Sequence, residues 1–194
     1  MNVVGIDLAV YERNPSGICI IKNKDENTLF VKTLLLYTDD EIIDFVSKQI
    51  ADVVAIDAPL TMPIKGASRE IYGLMRKKGM RAFPELFGFM KKLTERGIRL
   101  ASAVKKYNIQ VIEIHPRSSL FNMNVSRKDL FAAFPWLKNL TKDEIDAFVA
   151  AVTGLAYLLN EYEELSGIDG SIIFPSQSFM MLLTSRYKLY YVRT

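Results

Sequence analysis

Three short runs constrain this chain more than any other feature. Val3-Val4-Gly5-Ile6-Asp7, Val53-Val54-Ala55-Ile56-Asp57 and Ile109-Gln110-Val111-Ile112-Glu113 are apolar, rich in β-branched residues, and end in a carboxylate. Near-continuous apolarity predicts strands buried on both faces, hence a central sheet with parallel neighbours and helices on either side. The second and third runs stop near Pro59 and Pro116, where proline removes a ladder donor. Alternation predicts that Val53, Ala55 and Asp57 share a face with Val111 and Glu113, while Ile56 and Ile112 take the other.

The segments between these runs fill in the frame. Asn14-Pro15-Ser16-Gly17 reads as a turn, and strands over 18–22 and 29–36 complete an antiparallel meander with the first run. Thr38-Asp39-Asp40-Glu41 is a capping box that opens a helix to about residue 51. Residues 59–85 carry three prolines and three glycines and predict a long irregular insertion with one short helix over 68–77. Helices are expected over 86–107 with a break at Gly97, over 127–133 and over 142–163, with one more strand over 171–174. The expectation is a single α/β domain over 1–175, built on a five-stranded mixed sheet. A C-terminal tail over 176–194, with a strand at 187–192, has no evident role.

Composition removes several classes. Hydrophobic residues at 49% and charged residues at 24% fit a globular domain. A single cysteine, Cys19, allows no intramolecular disulfide. Met1–Ala9 lacks the basic and apolar regions of a signal peptide, and the longest nearly apolar run, 147–159, is too short to span a bilayer. A cytoplasmic chain is the expectation. The net charge of +3 conceals a basic stretch, since residues 60–107 hold 12 basic and 3 acidic side chains. That stretch suits either phosphate contact or a solvated helix face. Lys65, Arg69, Arg76 and Arg81 lie in its loop and are the candidate nucleic-acid contacts. Phe83, Phe87 and Phe89 beside these bases read as core packing before base stacking, as do Met80 and Met90.

The carboxylates carry the chemistry. Asp7, Asp57 and Glu113 end strands whose carboxyl termini share one sheet edge, where ligands bind in open α/β folds. Clustered carboxylates resist ionisation, and hard Mg²⁺ or Mn²⁺ ions relieve that repulsion. The helix from 142 adds two more acids. Glu144 completes a second capping box with Thr141, and Asp143 suits the positive end of the helix. Asp146 sits one turn in, among apolar residues, with no such reason. Asp143 and Asp146 lie on one side of the helix, and Asp146 is the stronger metal candidate. His115, the one histidine, reads as a hydrogen-bonded structural residue, with Arg117 as a partner for Glu113; both are possible accessory groups. There is no Gly-rich phosphate loop, CxxC or HExxH.

The order of elements and acids resembles the ribonuclease H-like fold, and the Asp143/Asp146 pair is similar to that of its Holliday-junction resolvase branch. Five strings, Gly5-Ile6-Asp7-Leu8-Ala9, Ala55-Ile56-Asp57-Ala58-Pro59-Leu60, Leu93-Thr94-Glu95-Arg96-Gly97, Glu113-Ile114-His115-Pro116-Arg117 and Lys142-Asp143-Glu144-Ile145-Asp146-Ala147, resemble domain-of-unknown-function family 429, described as predicted nucleases of that fold. Arg69-Glu70-Ile71-Tyr72 departs from the Arg-x-x-Asp expected there. The resemblance implies a nuclease in which Asp7, Asp57, Glu113 and Asp146 are catalytic and, with Asp143, hold one or two Mg²⁺ or Mn²⁺ ions. Two other readings stay open: a non-catalytic binding protein on this scaffold, and a diverged ATP-binding relative. The partner that the resemblance implies is nucleic acid, DNA or RNA.

Overall fold

The computed structural model describes residues 1–81, 84 and 86–192; Phe83 therefore lies outside the described residues. Strands β1 (Asn2–Asp7), β2 (Ser16–Asp25) and β3 (Thr28–Leu36) form the expected antiparallel meander. Strand β4 (Val53–Asp57) runs parallel to β1, and β5 (Gln110–Glu113) parallel to β4. Helix α1 (Asp39–Ser47) starts on the Thr38/Glu41 capping box and crosses from β3 to β4. The mixed α/β architecture is as expected, but among the described residues the sheet has six strands rather than five. The C-terminal residues supply the sixth, because α7 (Phe179–Arg186) leads into β8 (Lys188–Tyr191), which pairs in parallel with β3. Phe179, Leu183 and Tyr187 are buried there, and the Tyr191 ring stacks on Trp136 with centroids 4.6 Å apart.

The insertion holds helix α2 (Glu70–Lys77), and α3 (Phe89–Lys105) then runs unbroken through Gly97. Two short helices, α4 (Pro116–Asn122) and α5 (Arg127–Ala133), precede the long α6 (Lys142–Leu158). Helix α6 ends five residues earlier than expected. Strand β6 (Tyr162–Gly167) then pairs with β7 (Gly170–Pro175) in a separate hairpin, attached to the main sheet through an Ile114–Ile173 bridge.

Helices cover both faces. Val3, Cys19, Ile21, Val53, Ala55 and Ile112 pack with α6 on one side. Val4, Ile6, Val54, Ile56 and Val111 pack with α1 and α3 on the other. A small third cluster, with Ile71, Tyr72 and Met75, joins α2 to β7. Helix α6 lies directly on β1 because Gly5 presents no side chain: a Cβ there would stand 2.2 Å from the Ala151 nitrogen and 2.3 Å from the Ala147 oxygen. Backbone cannot yield as a flexible side chain can, so Gly5→Ala should lower unfolding stability by about 2–3 kcal/mol. A urea midpoint equal to wild type would count against this close approach.

Candidate active site

Register builds the centre of the site. Asp7 and Asp57 are paired neighbours on parallel strands, and they end β1 and β4 side by side. Their faces match those of Val3 and Val53, which puts both carboxyls on the α6 side. Helix α6 starts on the Thr141/Glu144 capping box and delivers Asp143 and Asp146 toward the same edge. Gly17, the partner of Asp7 on β2, makes room for this helix start; a Cβ there would stand 2.0 Å from the Asp143 oxygen. Glu144 points away from the acids and accepts a 2.7 Å hydrogen bond from Thr33 Oγ1 on β3, so it anchors the helix. On the other face, buried Arg96 donates to Asp39 (2.7 Å) and to the carbonyls of Ala9 (2.7 Å) and Tyr37 (2.8 Å). That fixes the segment that leaves Asp7.

The electrostatics follow from this crowding. Burial, then Asp146 and Asp143, push the Asp7 carboxyl up from 3.8 to about 7. Asp57 is raised too, first by burial, then by Asp7, Asp146 and Glu113. Lys142 is the nearby cation that pulls both the other way. Asp146 is engaged by cations of its own, Arg127 at 2.7 Å and Lys142 at 3.7 Å.

Glu113 borders the same cavity as Asp7 and Asp57 but stands on the other face of the sheet, which corrects the expected shared face. It pairs in register with Ile56, not Asp57, so its side chain takes the opposite face. There it is buried in a bidentate ion pair with Arg69 and also accepts a 2.8 Å hydrogen bond from the Leu60 N–H. Arg69 is corrected with it. Its side chain is fully buried, donates to Thr61 Oγ1 (2.8 Å) and lies over the Tyr72 ring, so no surface is left for a phosphate. Thr61 in turn donates to the Asp169 carbonyl, and the Asp169 carboxylate caps α2 by accepting from the Glu70 N–H. Arg69 is thus the pin between the insertion, β5 and the β6–β7 hairpin. Lys65, Arg76 and Arg81 are exposed and line none of the cavities that hold the acids.

The cations at the acids are ones that sequence reasoning left unassigned or accessory. A cleft of about 670 Å³ runs from Asp57 and Asp146 past His115, Arg117, Arg127 and Lys142 to Phe121. In the sequence Arg127 only opens the short helix expected over 127–133. His115 Nδ1 is 2.7 Å from Ser118 Oγ, and burial, then Arg117, push its pKa down to about 4. It is neutral at pH 7 and a weak proton acceptor.

The donor set tests the expected metal. Asp7, Asp57 and Asp146 are hard oxygen donors of the kind Mg²⁺ and Mn²⁺ take, and their mutual repulsion is what a cation relieves. Among the described residues, however, no group of three or more acidic, histidine or cysteine side chains is close enough to hold an ion as it stands. The expected full convergence is therefore not met. Asp146 is paired with Arg127, and Glu113 with Arg69.

No family model matches the chain, and no curated protein matches it. The resemblance to domain-of-unknown-function family 429 therefore gains no family match. Among solved structures the chain is similar to Thermus thermophilus RuvC in complex with a Holliday junction substrate. The identity is 10% and the TM-score 0.53, over 88% of this chain and 99% of that one. A second structure of T. thermophilus RuvC has 10% identity over the same shares and a TM-score of 0.45. No described helix is long and apolar enough to cross a membrane. The meander, the parallel β4 and β5, and the long helix laid across β1 are the ribonuclease H-like fold, which this chain shares with RuvC.

Proposed function

We propose that the chain is a metal-dependent nuclease that hydrolyses phosphodiester bonds of nucleic acid. One observation carries this reading: two aspartates end neighbouring parallel strands side by side, raised by burial and by nearby carboxylates, with Asp146 on α6 beside them. Such a group destabilises the fold at neutral pH and is explained by a function that binds a cation. Asp7, Asp57 and Asp146 would hold Mg²⁺ or Mn²⁺, with Asp143 at the margin. A bound ion of this kind supplies a nucleophile at neutral pH and neutralises charge at the phosphate. Arg117, Arg127 and Lys142 would orient the phosphodiester along the cleft. Arg127 is the exchange group: a phosphate that takes its guanidinium frees Asp146 for the metal. Neutral His115 holds the floor of the cleft through Ser118 without trading protons. The exposed Lys65, Arg76 and Arg81 would serve as outer contacts for a longer strand.

RuvC has been captured with a four-way junction, and branched or unpaired nucleic acid is the substrate class proposed here. The test pairs cleavage with binding. Wild-type protein should cut branched or single-stranded oligonucleotides with Mn²⁺ or Mg²⁺ and not with EDTA; no cleavage with either ion overturns the reading. Replacing Arg117, Arg127 and Lys142 together by Ala should lower the slope of log K against log[salt] by about 2–3 in magnitude. The corresponding change at Lys65, Arg76 and Arg81 should lower it less. Equal slopes for wild type and the cleft variant, measured by filter binding, would remove these three cations from the phosphate path.

A further inference from the structure

A second cavity, of about 310 Å³, opens beyond the ends of β1 and β4 beside the acids. Its character is unlike that of the cationic cleft. Tyr72 and Met75 from α2 and Phe89, Met90 and Leu93 from α3 form its apolar side, and Asp7, Asp57 and Glu113 its acidic side. Asp57, His115 and Lys142 border both cavities, so the two meet at the aspartates. Phe89 is 57% exposed at the first residue of α3. That corrects the expectation of core packing and leaves an aromatic face at the mouth of an apolar pocket.

A charged cleft and an apolar aromatic pocket that meet at one carboxylate match the two halves of a nucleotide. We propose that the pocket takes a single unstacked nucleobase while its phosphate lies in the cleft among Arg117, Arg127 and Lys142. The volume is near the lower end of the range for small-ligand sites, about 300–1,000 Å³, and suits one flat ring system. A base still paired in a duplex cannot enter without leaving the stack, and that step is cheapest for an unpaired nucleotide. The substrate is therefore a strand with an unpaired nucleotide at the aspartates, such as a bulge, a gap or a branch, rather than a continuous duplex. Aromatic stacking is tolerant of base identity, so the preference is for structure and not for sequence. This inference rests on the nuclease reading for the position of the phosphate.

The test is binding in EDTA, with no cleavage. The probes are a duplex with a one-nucleotide bulge, carrying the fluorescent analogue 2-aminopurine at the bulge, and the same duplex without it. Wild type should bind the bulged duplex more tightly and quench the analogue. Phe89→Ala should weaken bulge binding by about 5- to 150-fold, the loss of one base–aromatic stack, and leave the continuous duplex unchanged. Phe89→Leu keeps apolar bulk without the ring and should fall between the two. Phe87→Ala removes a phenylalanine that is 74% exposed and outside the pocket, and should behave as wild type. Equal bulge affinity in wild type and both Phe89 variants overturns the pocket, as does equal wild-type affinity for the two duplexes. Metal-dependent cleavage that persists alongside either result leaves the nuclease reading standing. Wild type that neither binds nor cuts any oligonucleotide overturns both.

Discussion

Arg69→Ala is expected to lower unfolding stability by about 3–5 kcal/mol, because it strands the Glu113 carboxylate in a buried setting. The wild-type pair is fully enclosed, with side-chain exposures of 0% for Arg69 and 4% for Glu113. Removing the guanidinium deletes both arms of the pair, the bond to Thr61 and the contact with the Tyr72 ring. Glu113→Gln keeps the shape and an acceptor for the Leu60 N–H but takes the charged side of a bidentate pair from a buried cation, so it should also be costly. The double variant Arg69→Ala/Glu113→Gln removes both charges, and its loss should be well below the sum of the two single losses. Urea unfolding of the four proteins measures this coupling. The reading of Arg69 as a phosphate ligand predicts the reverse: near-normal stability for Arg69→Ala with weakened binding of nucleic acid.

That Arg69 had to be reassigned shows which parts of the architecture a sequence can display. Period-two alternation within each strand is local and readable, and it put Asp57 on the face of Val53 and Ala55, with Asp7 and Asp57 both at strand ends. The offset between β4 and β5 is set by the long α2–α3 crossover, and no pattern within either strand reports it. A one-residue difference in that offset moved Glu113 to the other face, where a buried arginine became its natural partner. The α6 capping box and the misplaced Asp146 were legible because they break local rules. Arg127 was not, since its value comes from an ion pair between α5 and α6 that only the folded chain forms. Strand β8 was visible only as a possible strand: it is four residues long and half-buried, held at an edge by Phe179, Leu183 and the Tyr191–Trp136 stack. Phe89 is the mirror case. An apolar residue in an amphipathic helix reads as core, and only the folded chain shows its ring facing outward.

Asp7→Asn should abolish metal-dependent cleavage and at the same time make the protein more stable at pH 8. The carboxyl titrates near 7 in the folded chain against 3.8 for an ordinary aspartate. Between those values the folded chain keeps a proton that the unfolded chain has lost. Stability therefore falls as pH rises from about 4 to about 7, and the full cost, at most about 4 kcal/mol, is present above 7. Asn carries no charge, so the variant gains at pH 8 and gains nothing below pH 4. His115 acts with the opposite sign. It is held neutral down to about 4 while an unfolded histidine protonates near 6.5, so its contribution is lost as pH falls through that window. In wild type the aspartates and the histidine oppose each other there. Asp7→Asn removes one of the two raised aspartates, and its stability should rise more steeply with pH between 4 and 6.5. Urea unfolding in EDTA at pH 4, 5, 6.5 and 8 reads all of this. Catalysis should respond without such compensation. Removing a partner of a metal ligand costs 10- to 100-fold in affinity or activity, so replacing a ligand should cost at least about 10²-fold in cleavage rate. Added Mn²⁺ should stabilise wild type and leave the variant nearly unmoved, because a ligand that binds only the folded state raises its stability. Equal cleavage by both proteins would reject the catalytic assignment of Asp7. Equal stability at pH 8 would instead show that the neighbouring acids do not strain one another, and the argument for a cation between them would lose its physical basis.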